Sequence, residues 1–463
     1  MSKKAKKKAK KKAKKAAAKS VFHAIHPHAA GIDVGNFKHF VAVPPESCAE
    51  GECNVRSFDT FTGDLIQIAE WLKAHGVTTV ALESTGVYWI PLYEVLESRG
   101  FEVCLVDTRR LKSVPGRKTD VKDGQWLQQL HTYGLLQSAF RPQEEICVLR
   151  TYLRQREMLI ATAADHIQHM QKALQQMNVK LSNVISDITG TSGMAIIQAI
   201  LDGERDPVKL AKLRDPRCKN SEETIAKSLV GNWRADHLFE LRQAVDLHQF
   251  YKQKVGECDR EIESWLQKMA PKQPDPSPLP PKKKVKKNPH SPGFDARSLL
   301  HKITGVDLTQ IPGIEANTAL KLIGEIGRDI SRWPSAKHFA SWLCLCPGNK
   351  ISGGRVLSSK TRNSKNRAAA ALRMAAQCLE RTDTALGAFY RKIKSRKDAP
   401  KAITATAHKL AILVYTMLKK GESYVDIGQE AYEKQYEARV LASVKRRAAK
   451  LGYQIVPANP APA

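Results

Sequence analysis

Cysteine pairs with the spacing of a metal ribbon are missing from this sequence. Its nine cysteines are odd in number and include no CxxC pair; Cys344 and Cys346 have one residue between them, Cys48 and Cys53 four. Neither a disulfide framework nor a zinc ribbon follows, and a reducing, cytoplasmic compartment is the simple expectation. Long apolar runs are missing too. None approaches 18 residues, so no membrane-spanning helix is expected, and the N-terminus lacks the apolar core of a secretory signal. Acids are scarce: 46 Asp and Glu stand against 75 Lys and Arg, a formal net charge of +29 on 463 residues. That imbalance points to a polyanionic partner, most simply nucleic acid, whose phosphates release counterions when cations neutralise them. A hydrophobic fraction of 42% argues against a wholly disordered chain, and the length allows two or three domains at about 100–200 residues each.

Residues 1–22 form a basic arm: positions 2–19 hold 11 lysines among alanines and no acid. Such a run is a solvated arm, and one that can lie along phosphates without sequence choice. Residues 23–142 read as α/β. Strands are expected at 29–34, 39–43, 54–59, 78–82 and 101–106, and helices at 65–75, 88–98 and 120–133. The order βββαβαβα is that of an RNase H-like (RuvC-like) layer, a mixed sheet with helices on its faces. Residues 143–270 read as a helical, coiled-coil-like arm. Leu149, Leu153, Arg156 and Ile160, then Ile167, Met170, Leu174 and Met177, recur at three- and four-residue steps. A loop is expected at 189–215, followed by a returning helix at 236–268 with Leu238, Leu241, Val245 and Leu247 on its apolar side. The pair reads as an antiparallel hairpin suited to dimerisation. Residues 271–299 are a Pro/Lys-rich linker, with eight prolines between 271 and 292. Residues 300–425 read as a mostly α domain, and 426–463 as a C-terminal helix with a loose Pro/Ala-rich tail.

Three constellations carry chemistry. The first is a set of four acids: Asp33 at the end of the first strand, Glu83 after the fourth, and Asp120 and Asp123 in Lys-Thr-Asp-Val-Lys-Asp. Each acid alone is an ordinary turn, cap or helix-start residue. As a set on one α/β layer they can converge, because strand ends and an adjacent helix meet there. Carboxylate oxygens suit Mg2+, and one or two such ions can clamp the attacking and leaving oxygens of a phosphodiester. The second is Ile311-Pro312-Gly313-Ile314, a turn entering a helix in the manner of a helix-hairpin-helix. The turn at Pro312-Gly313 leaves free backbone N–H groups and a helix N-terminus that can hold a phosphate, and an ordinary helix connection reads the same way. The third is Ile351-Ser352-Gly353-Gly354-Arg355, followed by Ser358, Ser359, Lys360, Arg362, Ser364, Lys365 and Arg367. Small residues admit close backbone approach, and the cations suit a phosphate backbone. Any of these serines can attack phosphorus if its hydroxyl is activated.

In this order the motifs resemble the DEDD-type insertion-sequence transposases of the IS110 kind, described as bridge-RNA-guided recombinases. The residues that carry it are Gly-Ile-Asp-Val-Gly, Leu-Glu-Ser-Thr-Gly, Lys-Thr-Asp-Val-Lys-Asp, Ile-Pro-Gly-Ile and Ser-Gly-Gly-Arg. Ala407-His408-Lys409-Leu410-Ala411 resembles the family's C-terminal helix, and the likeness covers about residues 29–135 and 305–425. It implies a RuvC-like metal domain with Asp33, Glu83 and Asp123 as direct ligands, and Asp120 on a second ion or orienting a ligand. It implies Ser352 as nucleophile, with Arg355, Lys360, Arg362, Lys365 and Arg367 on phosphates. It further implies donor and target DNA as partners, a structured guide RNA whose base pairing carries sequence choice, and a homodimer or homotetramer in a bacterial, nucleoid-associated setting. Two other readings stand beside it. A hydrolytic junction-type endonuclease would use the same acids on water, and a non-catalytic nucleic-acid scaffold would need only the charge.

Overall fold

The computed structural model describes residues 23–84, 86–106, 120–270, 278–279, 288 and 290–456, with the side chains of Asp120 and Val121 excepted. The basic arm, most of the Pro/Lys linker and the last seven residues lie outside the described residues. The chain divides into two compact units, Met1–Arg141 and Pro142–Ala463.

The first unit is a five-stranded mixed sheet with helices on both faces, consistent with an RNase H-like layer. Its elements are β1 (Ala29–Val34), β2 (Lys38–Ala42), β3 (Val55–Asp59), α1 (Thr62–Ala74), β4 (Thr79–Glu83), α2 (Trp89–Ser98), β5 (Glu102–Val106) and α3 (Asp120–Thr132). The strand order is β3-β2-β1-β4-β5. β1–β2 and β2–β3 are antiparallel, whereas β1–β4 and β4–β5 are parallel. Strand alternation sorts the side chains. Ala30, Ile32 and Val34 of β1 and Val80 and Leu82 of β4 pack with Leu65, Ile68 and Leu72 of α1 and Leu92 and Leu96 of α2. The opposite face receives α3: Ala81 and Val106 pack with Leu127. The element boundaries expected from sequence hold to within about three residues. α1 starts earliest relative to expectation, because its first turn, Thr62-Gly63-Asp64, is polar and carries no apolar signal.

The second unit begins with two long helices, α4 (Glu144–Gln176) and, after the intervening segment, α9 (Ala235–Met269). They run antiparallel in one continuous register. Trp265 Nε1 donates to Glu145 O (2.9 Å), Arg156 Nε meets Asp259 Oδ1 (2.6 Å), His248 Nδ1 lies 3.2 Å from Ala163 O, and Asn232 N donates to Met177 O (2.7 Å). The Arg156–Asp259 pair is buried, and Gly293 N and His290 O complete its hydrogen bonds. On α9, Leu247 is 40% exposed, contrary to expectation; Ala244 takes the buried place beside Val245.

The segment expected as a loop at 189–215 is instead largely helical. Four short helices close the far end of the pair: α5 (Leu181–Val184), α6 (Thr191–Leu201), α7 (Pro207–Ala211) and α8 (Glu222–Ser228). Ile196, Ile197, Ile200, Leu210 and Ile225 form one core with Met170, Leu174 and Leu241. The punctuation residues that suggested a loop do other work. A Cβ at Gly193 would lie 2.3 Å from Ile188 O, so this glycine permits close packing, and Pro207 opens α7 behind an Asp206 cap on Val208 N.

The remainder is helical: α10 (Ala296–Thr304), α11 (Ala316–Ile326), α12 (Ala336–Trp342), α13 (Arg367–Cys378), α14 (Ala385–Arg396), α15 (Ala399–Lys420) and α16 (Gly428–Lys450). Phe339, Tyr390, Leu410 and Val414 are among its buried residues. One small sheet interrupts it, β6 (Lys350–Ser352) paired antiparallel with β7 (Arg355–Ser358). No helix among the described residues is long and apolar enough to cross a membrane.

Candidate active site

Asp33 sits on β1 and Glu83 ends β4. These strands are parallel neighbours, paired through Ile32 and Leu82, so Asp33 and Glu83 stand one step beyond that pair at the carboxyl ends. Alternation puts both on the face opposite Ile32 and Leu82, the face that α3 covers. Direction follows from two contacts. Gly31, near the end of β1, lies against Gly124 and Gln128 of α3, while Thr79, at the start of β4, has His131 Nε2 2.8 Å from its hydroxyl. The helix therefore runs back along the strands, and its N-terminal turn, with Asp120 and Asp123, lies toward the end that carries Asp33 and Glu83. A Cβ on Gly31 would fall 2.2 Å from Gln128 N and 2.5 Å from Gly124 O, so only glycine lets helix and strand approach this closely.

The acids carried toward that end offer only oxygens, the chemistry of a hard divalent cation. The positive end of α3 also favours carboxylates in its first turn. Asp33, Glu83 and Asp123 are half-buried. Among the described residues, no three His, Cys, Asp or Glu side chains cluster closely enough to hold one ion, and the Asp120 side chain lies outside that set. The base of the layer is set by a different group. Thr79 donates to Glu102 O (3.0 Å), which leaves its oxygen to accept from His131 Nε2–H. Burial, reinforced by the neighbouring His26 ring at 4.9 Å, pushes the His131 pKa down to about 4.

Ser352 belongs to the second unit, at the last position of β6 opposite Arg355. The turn between them is Gly353-Gly354, with φ of +54° and +74°. Two successive positive φ values suit the two-residue hairpin turn whose twist matches its strands, and they favour glycine at both places. The segment is an ordered hairpin that holds Ser352 and Arg355 side by side on an exposed surface.

The other serines differ. Ser358 Oγ accepts from Lys360 N (3.3 Å) and Ser364 Oγ from Asn366 N (3.0 Å), both local turns, while Ser359 is exposed. Of the expected phosphate-holding cations, Arg355, Lys360 and Lys365 are exposed. Arg362 donates to Ser341 O (3.0 Å), and Arg367 pairs with Glu157 (2.7 Å). Pro312 and Gly313 form the turn before α11. A Cβ on Gly313 would meet Ala375 O at 2.6 Å, so tight packing on α13 as well as its φ of +84° requires glycine. Sequence reading assigned nothing to Lys392, Arg396 and Arg439, which meet around Tyr436; the signal was the basic run at 391–397.

Two family models match the chain. One, the DEDD transposase model of IS110 elements, described as "Transposase", covers residues 30–179, the span that holds all four acids. The other, described as "Transposase IS116/IS110/IS902 family", covers residues 307–391, the span that holds the Pro312-Gly313 turn and Ser352. No curated protein matches. By these two matches the chain belongs to the IS110 family of insertion-sequence transposases, enzymes that act on DNA.

Proposed function

We propose that this transposase cuts and rejoins DNA through a covalent serine–DNA intermediate, with a structured RNA choosing the sites by base pairing. The observation that carries the reading is the placement of Ser352. It lies beside Arg355 on an exposed two-glycine turn, within the span matched to the transposase family. In this scheme Ser352 Oγ attacks a backbone phosphorus. An Oγ–P bond forms, the bridging P–O bond breaks, and the departing strand's hydroxyl takes the proton that Ser352 gives up. The reverse attack by a different strand's hydroxyl rejoins DNA without an external energy source. Arg355 and Lys360 lie close enough in sequence to steady the phosphate oxygens.

Asp33, Glu83, Asp123 and Asp120 would hold divalent metal, Mg2+ by preference, which when bound lowers the pKa of the attacking hydroxyl and offsets charge on the phosphorane. The Gly31 contact sets how closely α3, whose first turn bears Asp123, lies on β1. The acids and the serine would act together across copies in a dimer or tetramer, with the α4–α9 arm as an assembly surface.

The test is a denaturing gel of the full chain with labelled donor and target DNA, the element's flanking non-coding RNA and Mg2+. A protein–DNA adduct that survives denaturation and disappears in Ser352→Ala, while DNA binding persists, is the expected result. An adduct persisting in Ser352→Ala removes Ser352 from the role. Cleaved ends with no protein attached would instead favour the hydrolytic endonuclease. Joining that proceeds without the RNA would remove the guide.

A further inference from the structure

Beyond the residues matched to the family, α14 and α16 bring together cations that, among the described residues, pair with none of the acids of α16, Glu430, Glu433 and Glu437. Arg396 Nη2 donates to Tyr436 Oη at 2.7 Å, with its guanidinium carbon 5.6 Å from the ring centre. Lys392 lies over the same ring, and the Arg439 guanidinium carbon is 6.0 Å from it. A fourth cation, Lys409 of α15, sits half-buried against Phe389 (4.1 Å) and Tyr432 (5.5 Å). Among the described residues none of these four makes an ion pair, although surface ion pairs occur elsewhere, as at Arg217–Asp215 and Lys227–Glu223. The field is felt locally: the Arg396 hydrogen bond, with the charges of Arg396 and Lys392, holds the Tyr436 phenol below its usual range. Burial, then the charge of Arg439, lowers the Lys409 ammonium.

The patch continues along α16. Arg439, Arg446 and Lys450 recur at seven- and four-residue intervals, which puts them on one helix face. All three are exposed, and no acid follows Glu437 in the chain. From Arg439 to Lys450 the helix advances about 16 Å, the rise of about five base pairs at 3.4 Å each. Like charges gathered without counter-charges cost free energy unless a polyanion supplies them.

We propose that this ridge, Lys392, Arg396 and Tyr436 continuing through Arg439, Arg446 and Lys450, is a sequence-independent docking site for the phosphate backbone of duplex DNA. The choice of DNA over other polyanions rests on the reading above that the chain acts on DNA. The extended, one-sided line of cations suits a backbone rather than a single small anion. Tyr436 donates a hydrogen bond from its hydroxyl to a phosphate oxygen while Arg396 and Lys392 flank it. The ridge holds DNA; it has no part in breaking it.

The test uses the full chain and a 30-base-pair duplex of arbitrary sequence, without Mg2+, so that binding is read apart from cleavage. In Lys392→Gln/Arg396→Gln/Arg439→Gln, affinity should fall at least tenfold at moderate salt. The slope of log K against log salt should become shallower by about 2 to 3, from about 0.9 per phosphate contact. The control Lys73→Gln/Lys209→Gln/Lys227→Gln removes the same charge elsewhere, and equal loss in both triples would overturn the site. Should the first triple fold poorly, acetylation footprinting of the wild-type chain decides. Duplex should protect Lys392 and Lys450 from an amine-reactive label; unchanged labelling overturns the proposal. Stronger protection by an RNA hairpin than by duplex at equal concentration would overturn the assignment to DNA. A chain that joins DNA normally yet binds normally with the ridge neutralised would sink this inference and leave the serine reading standing.

Discussion

The two halves of the proposed chemistry are built in opposite ways. The carboxylate end rests on a packed sheet, with Ile32 and Leu82 fully buried directly before Asp33 and Glu83, and with a helix pressed onto Gly31 until only a hydrogen fits. The serine stands on a hairpin of seven residues and a two-residue turn whose Ile351, Val356 and Leu357 are 61%, 58% and 70% exposed. One site takes its geometry from a core and is damaged through stability. The other takes it from local backbone preference and can be damaged with the fold intact.

That contrast is open to direct challenge. Arg156→Ala in the second unit strands Asp259 among buried neighbours and should cost about 3–5 kcal/mol; hydrogen exchange should show the loss in α4 and α9 peptides. Gly31→Ala should cost on the order of 3 kcal/mol, because the new methyl meets backbone rather than a movable side chain. Exchange should rise in β1 and α3, and Mg2+-dependent cleavage should fall with it. Intact melting in that variant would break the claim that the carboxylate end is held by packing.

The first unit should also be acid-sensitive. The neutral His131 is favoured in the fold, so its contribution is full above pH about 6.5 and is lost as pH falls toward about 4. The loss should approach about 3 kcal/mol at 1.36 kcal/mol per pH unit. His131→Gln should flatten the dependence of the melting temperature on pH in that window; an unchanged slope would remove His131 from the account. The smallest effect belongs to the hairpin. Gly354→Ala forces a methyl into φ of +74°, at about 1 kcal/mol of local strain. Its melting should be near that of the wild type, while serine–DNA joining falls about tenfold.

Sequence carried the α/β unit well because its signals are short-range and agree. Ala29–Val34 and Thr79–Glu83 are largely apolar runs with an acid at or next to the last position, and Gly100 closes α2's turn before β5. It failed at 189–215 because glycine and proline were read by their commonest local meaning. Gly193 is small for the sake of Ile188, and that is visible only once the chain has folded. The strands of the Ser352 hairpin are not legible in the sequence because three and four residues leave too little alternation to read. The cation ridge escaped because its members come from helices some forty residues apart, each of which reads as a solvated face.

The arm's register has a consequence for its length as a mechanical part. Each contact between α4 and α9 couples a residue on the outbound path to one on the return, from Glu145 with Trp265 to Ala163 with His248. An insertion in one helix alone would shear every later pair, whereas matched seven-residue insertions in both would move the capping bundle outward by roughly 10 Å with little rotation. The arm is in effect a gauge whose reach evolution can change only in paired, quantised strides.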